Sequence, residues 1–201
     1  MACVEEGCHE RAFDYPNRYV GFCDPSGGSA DSMTLAIAHL AGDTAVLDAV
    51  RENRPPFDPA SVVAEYCDLL KTYRIKTVVG DAYGGEWVAS QFRQHSINYR
   101  KSDRSASQLF LDCLPLLNSR TAALLDNERV ISQFCALERR TARSGKDSVD
   151  HPPGEHNDVA NAVAGALVNV PNAARRERTG GVTHESAGKF NPHTGTYGAK
   201  H

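Results

Sequence analysis

The chain has 201 residues, of which 41% are hydrophobic and 23% charged, with a formal net charge of −3. That is enough apolar material for one sizeable soluble domain with its own core. No apolar run is long enough to span a bilayer and no signal peptide is recognisable, which argues against a membrane or secreted protein. The charge is unevenly spread: residues 1–58 carry ten acids and four bases, residues 100–146 nine bases and five acids, and residues 171–201 five bases and two acids. A mildly acidic protein can still turn a basic face to an anionic partner.

Residues 1–17 are polar and without periodicity, and are expected to form a leader or linker. "RYVGFCD" (18–24) is an apolar run closed by Asp24, the signal of a strand, and "PSGGSADS" follows as a turn. "MTLAIAHLA" (33–41) and "TAVLDAVREN" (44–53) flank Gly42-Asp43, a hairpin signal, so three antiparallel strands are expected. Val62, Val63, Tyr66, Leu69 and Leu70 recur at helical spacing and predict a helix over 59–74. "IKTVVGD" (75–81) then reads as a short central strand closed by Asp81. A helix over 84–95 and a strand over 97–102 follow. Next come a helix over 104–117, a strand over 122–126, a helix over 127–141, a loop, and a last helix over 157–169. Trp87, at a helix start, is expected in the core. Residues 171–201 have almost no large apolar side chains and are expected to be a disordered tail. No internal repeat is visible.

A hairpin followed by strands alternating with helices predicts an α/β fold, a mixed sheet with helices on both faces. Ligands of such sheets gather near strand ends. Asp24 and Asp81 each close a strand, and Asp158 opens the last helix after a proline-broken polar loop. Each has a plain alternative: Asp24 and Asp81 could start turns, and Asp158 could cap its helix. Together they suit a hard divalent cation such as Mg²⁺, which takes carboxylate oxygens, waters and substrate phosphate. Two such ions about 3.5–4 Å apart can activate a water and stabilise the leaving oxygen of a phosphodiester. Without a cation the clustered carboxylates would repel. His156 is a less natural Mg²⁺ ligand and is expected to orient a ligand or water.

Arg100, Lys101 and Arg104 form one basic cluster, and Arg139, Arg140, Arg143 and Lys146 a second that runs toward the loop before Asp158. Both are candidates for DNA phosphate contacts, with solvated helix faces as the alternative. The six cysteines (3, 8, 23, 67, 113 and 135) read mainly as small core residues in a reduced, cytoplasmic setting. Cys3, Cys8 and His9 lack the second ligand pair of a zinc finger.

Four blocks carry a resemblance. "RYVGFCDPSGGSADSMTLAIAH", "VVGDAYGGEW", "YRKSDRSASQLFLDCLPLLNS" and "DSVDHPPGEHNDVANAVAGAL" stand in an order that resembles the nuclease domain of the large terminase subunit of tailed bacteriophages. The match runs from Arg18 to Val170 and implies a ribonuclease H-like domain over 18–170 that cuts concatemeric viral DNA during packaging. It further implies catalytic, metal-holding acids at Asp24, Asp81 and Asp158, two Mg²⁺ or Mn²⁺ ions, and double-stranded DNA as substrate. The implied partners are portal, small terminase and an ATPase domain in the host cytoplasm, with the isolated domain a monomer. Asn157 stands where the family often has a second Asp, and offers an oxygen without a charge. No G-x-x-x-x-G-K-[ST] loop occurs, so the ATPase half is expected to be absent. A Holliday-junction resolvase or transposase-like nuclease of the same fold, and a non-catalytic DNA-docking module, remain as alternatives.

Overall fold

A computed structural model describes residues 3–81, 85–141, 145 and 147–179, the stretch 171–179 as backbone only. In chain order the elements are β1 (Val4–Glu5), β2 (Tyr19–Asp24), β3 (Met33–Ala41), β4 (Thr44–Asn53), α1 (Pro59–Thr72) and β5 (Thr77–Gly80). They continue with α2 (Gly85–Gln94), β6 (Asn98–Lys101), α3 (Ala106–Asn118), β7 (Ala122–Leu125), α4 (Glu128–Ala136), β8 (Glu138–Thr141), β9 (Asp147–Asp150) and α5 (Asp158–Thr179).

Seven strands make one sheet in the order β1-β7-β4-β3-β2-β5-β6. β2, β3 and β4 run antiparallel to their neighbours in that meander, and the remaining pairs are parallel. The expected mixed α/β sheet, antiparallel first and parallel after, is therefore the observed architecture. Alternation along the strands divides the core in two, because successive side chains leave opposite faces. Phe22, Ala36, Ala38 and Leu47 pack with Leu109, Leu124, Val130 and Val163 on the face covered by α3, α4 and α5. Cys23, Leu35 and Ile37 pack with Val63, Tyr66, Leu70 and Phe92 on the face covered by α1 and α2.

Local signals start the helices where they are observed. Asp58 accepts from the Ser61 amide at 3.0 Å with Pro59 in the first turn of α1. Ser105 and Gln108 form a reciprocal capping box on α3. Asn127 caps α4 through the Val130 amide at 3.1 Å. From Val159 to Val168 every residue of α5 is buried, so its Ala- and Gly-rich sequence reflects a helix enclosed on all sides rather than an amphipathic one.

Four features differ from expectation. Residues 3–11, read as part of a leader or linker, are tied to the sheet edge: β1 lies parallel to β7, Leu124 and Asp126 donate to the Cys3 and Cys8 carbonyls at 2.7 Å each, and Arg11 N–H donates to the Asp48 carbonyl at 2.8 Å. A two-residue strand has no periodicity to detect. The helix expected over 127–141 stops at Ala136, and Glu138–Thr141 instead pairs antiparallel with Asp147–Asp150. All four β8 side chains are exposed, so no burial pattern marked the strand. Trp87, expected in the core, is 43% exposed on α2, whose inward positions are taken by Val88 and Phe92. Finally, the α5 backbone continues to Thr179, beyond the expected domain end, while residues 180–201 of the expected tail lie outside the described residues.

Candidate active site

β2 and β5 are parallel neighbours with Cys23 opposite Gly80. The next residue on each is therefore an acid, and Asp24 and Asp81 emerge side by side at the C-terminal edge of the sheet. The Asp81 amide donates to the Cys23 carbonyl at 3.2 Å, and Tyr99 Oη donates to the Asp81 carbonyl at 2.7 Å, holding the strand end in place.

A residue not singled out in the sequence joins them. Asn161, buried on α5, donates through Nδ2 to Asp24 Oδ2 at 2.8 Å and to Asp81 Oδ2 at 3.4 Å. Its Oδ1 is buried without a hydrogen-bond partner. The available signal was its position three residues after Asp158, which places both on one helix face.

Asp158 is the first residue of α5, yet it does not cap its own helix. Its Oδ2 accepts from the Ser32 amide at 3.1 Å, and its carbonyl accepts from Thr34 Oγ1 at 2.8 Å. The first-turn Ala160 amide is satisfied instead by Gln133 Oε1, at 2.9 Å. The carboxylate is thus turned toward the sheet edge, within electrostatic reach of Asp24.

Burial pushes the Asp24 carboxyl up to about 7; the Asn161 hydrogen bond opposes this, and the charges of Asp158, Asp81 and Asp31 add to it. Asp158 is raised as well, first by burial, with Asp31 and Glu52 raising it further while the Ser32 hydrogen bond and His156 lower it. Asp31 and Glu52 are therefore part of this electrostatic site, Asp31 from the loop before β3 and Glu52 from the end of β4. His156 faces Asp31, with Nδ1 at 3.7 Å, and lies within electrostatic reach of Asp158. Asn157 donates through Nδ2 to Asp150 Oδ1 at 3.1 Å, and so braces the loop before α5.

Glu52 links the site to α4. It accepts from Ser32 Oγ at 3.2 Å and is gripped by Arg129 through Nε at 3.2 Å and Nη2 at 2.9 Å. Burial raises the Glu52 carboxyl, but hydrogen bonds from Arg129 and Arg54 outweigh it and bring it below the ordinary value. The chain Arg129–Glu52–Ser32–Asp158 thereby anchors the third acid. Arg129→Ala should destabilise the fold by roughly 1 kcal/mol, since Arg129 is partly solvent-screened. Urea denaturation at low and high salt measures this, and the deficit should shrink at high salt.

The basic candidates divide. Arg100 and Lys101 are exposed on β6, and Lys101 is opposite Gly80, at the same sheet end as Asp81. Arg104 is held by Asp112 at 3.0 Å. On β8, Arg139 pairs with Asp147 and Arg140 with Glu138, so their charge is largely compensated. Arg143 and Lys146 lie outside the described residues.

Oxygen donors dominate the site, which suits a hard cation. Two adjacent carboxylates share one amide, Asp24 is costly to ionise as it stands, and a buried amide oxygen has no donor; these are the features a divalent ion would relieve. Among the described residues no three His, Cys, Asp or Glu side chains converge on one point. Asp24 and Asp81 are therefore the residues that would hold such an ion, with Asp158 nearby on its Ser32 anchor.

This fold is ribonuclease H-like, the architecture of phage large terminase nucleases. The chain is similar to the large terminase nuclease of thermophilic phage G20c, with a TM-score of 0.66 at 18% identity over 79% of this chain and 84% of that one. A magnesium-bound form of the G20c nuclease matches with the same TM-score and identity over 78% of this chain and 84% of that one. The bacteriophage HK97 large terminase matches with a TM-score of 0.64 at 10% identity, over 80% of this chain but 41% of that protein. No family model and no curated protein matches the sequence.

Proposed function

We propose that this chain is a divalent-metal-dependent DNA endonuclease of the large-terminase kind, cutting concatemeric viral DNA during genome packaging. The observation that carries the reading is the pairing of Asp24 with Asp81 on adjacent parallel strands, with Asp158 in electrostatic reach, in the fold of those nucleases. The magnesium-bound G20c structure supports Mg²⁺ or Mn²⁺ as the cofactor. The resemblance in the sequence supports two ions.

The ions, when bound, supply Lewis acidity that activates water and stabilises the leaving oxygen of a phosphodiester. The protein supplies position and charge. Asp24 and Asp81, whose Oδ2 atoms both lie within reach of Asn161 Nδ2, would hold the cation. Asp158, fixed by the Ser32 amide, adds negative charge from the helix side. His156 and Asn157 brace the loop that delivers Asp158. Arg100 and Lys101, exposed at the Asp81 end of the sheet, engage DNA phosphates without reading sequence. In a packaging motor the partners would be portal, small terminase and an ATPase domain in the host cytoplasm; the isolated domain is expected to be monomeric.

Purified protein should nick or linearise plasmid with Mg²⁺ or Mn²⁺, and EDTA should stop it; cutting that survives Asp24→Ala would overturn the reading. Asp158→Asn gives a finer test. Asn keeps an oxygen for the Ser32 amide, so circular dichroism should be unchanged, while the cleavage rate should fall by about tenfold or more through loss of a charge. Equal rates across a Mn²⁺ titration would reduce Asp158 to a structural anchor.

A further inference from the structure

We propose that Asn161 is a two-ended amide that changes ends when a cation arrives: Nδ2 cross-links Asp24 and Asp81 in the ion-free protein, and Oδ1 becomes a neutral ligand in the loaded one. The proposal rests on the metal-dependent reading above.

Three observations carry it. Asn161 is 2% exposed, so its amide cannot turn out to solvent and must be satisfied inside the site. Its Nδ2 bonds two carboxylates from two different strands, at 2.8 and 3.4 Å. Its Oδ1 has no donor within reach. With both carboxylates ionised, the opposite amide orientation would set a carbonyl oxygen against two acceptors, so the ion-free protein with both acids charged requires the nitrogen there. The two N–H groups do what a positive ion does: they let like charges stand together.

An ion between Asp24 and Asp81 reverses that requirement. The lone pairs now facing Nδ2 are the ones the ion needs, and amide hydrogens pointing at a cation are repelled. A half-turn of the side-chain amide keeps the shape almost constant and presents an oxygen, the donor type hard cations take. It also withdraws Oδ1 from a position where it is unsatisfied. Asn161 lies one helical turn from Asp158, so its backbone is fixed by the same buried segment of α5 and only the amide needs to move.

The test follows the amide itself and the ion, without DNA. In ¹⁵N spectra of the 201-residue protein, the Asn161 side-chain NH₂ pair, assigned by its loss in Asn161→Asp, should shift strongly on Mg²⁺ addition. Mn²⁺ affinity, read by electron paramagnetic resonance, should fall about tenfold in Asn161→Leu, and recover or exceed the parent in Asn161→Asp, which offers an oxygen. Asn161→Asp should also be less stable than the parent in EDTA at pH 8, because a third charge replaces the cross-link. Should Asn161→Leu be poorly folded, Asn161→Ala is read in its place. An unmoved NH₂ pair with parent-like Mn²⁺ affinity in Asn161→Leu or Asn161→Ala overturns the amide exchange but leaves the metal reading intact. No Mn²⁺ binding by the parent at millimolar concentration overturns both.

Discussion

Asp24→Asn should raise the thermal midpoint of the ion-free protein at pH 8 while abolishing cutting. The sign follows from the raised carboxyl. Asp24 titrates near 7 in the folded protein against an ordinary value of 3.8. At pH below about 4 it is protonated in both states and has no effect. Between about 4 and 7 the unfolded chain ionises first, so the folded state loses stability as pH rises. Above 7 the full cost is present, roughly 4 kcal/mol for a shift of about three units. Asn removes the charge and still offers an oxygen to Asn161 Nδ2. Melting in EDTA should therefore show the variant ahead by roughly 8–16 °C at pH 8 and level with the parent near pH 4. Millimolar Mg²⁺ should narrow the gap by stabilising only the parent. A variant no more stable than the parent at pH 8 would mean that the Asp24 charge is well solvated, and the electrostatic basis of the site would fail.

Gly165→Ala should be among the most damaging substitutions of its size. Gly165 lies on the face of α5 that packs on β2, and a methyl group there would overlap the Phe22 ring. Phe22 is fully buried, so the ring has no free space to swing into, and α5 must move away from the sheet. The expected loss is about 1–3 kcal/mol, in spite of the better helix propensity of Ala. Because Phe22 is two residues before Asp24, and Asn161 and Asp158 are on the displaced helix, cutting should fall more than stability does. Chemical denaturation and cleavage rates on the same preparation measure both. An unchanged denaturation midpoint would show that α5 can shift freely, and that close packing does not set the distance between Asn161 and Asp24.

The acids themselves were legible in the sequence because strand ends and helix starts are local signals. An apolar run of alternating residues that stops at Asp24, a second that stops at Asp81, and a polar loop breaking into an alanine-rich helix at Asp158 each need only a few neighbours to recognise. The same holds for the β3–β4 hairpin at Gly42-Asp43 and for the caps at Asp58, Ser105 and Asn127. These features are decided by backbone geometry within a turn or two, and the mixed sheet follows from their order.

What only the tertiary structure decided are relations across the chain. Asn161 meets Asp24 from 137 residues away and Asp81 from 80, and its spacing from Asp158 alone does not show which residues it would meet. The Asp158 carboxylate and the first-turn amide it could have capped are taken by Ser32 and Gln133, two partners from distant elements. Edge pieces were equally invisible: β1 and β8 bury too little to leave a hydrophobic period, and the charge of Arg139 could be seen as compensated by Asp147 only once β8 lay against β9. Local sequence sets which segments become strands and helices, because that depends on torsion and burial pattern; pairing, charge compensation and the placement of a buried amide depend on which segments meet, and that is set by the packing of the whole core.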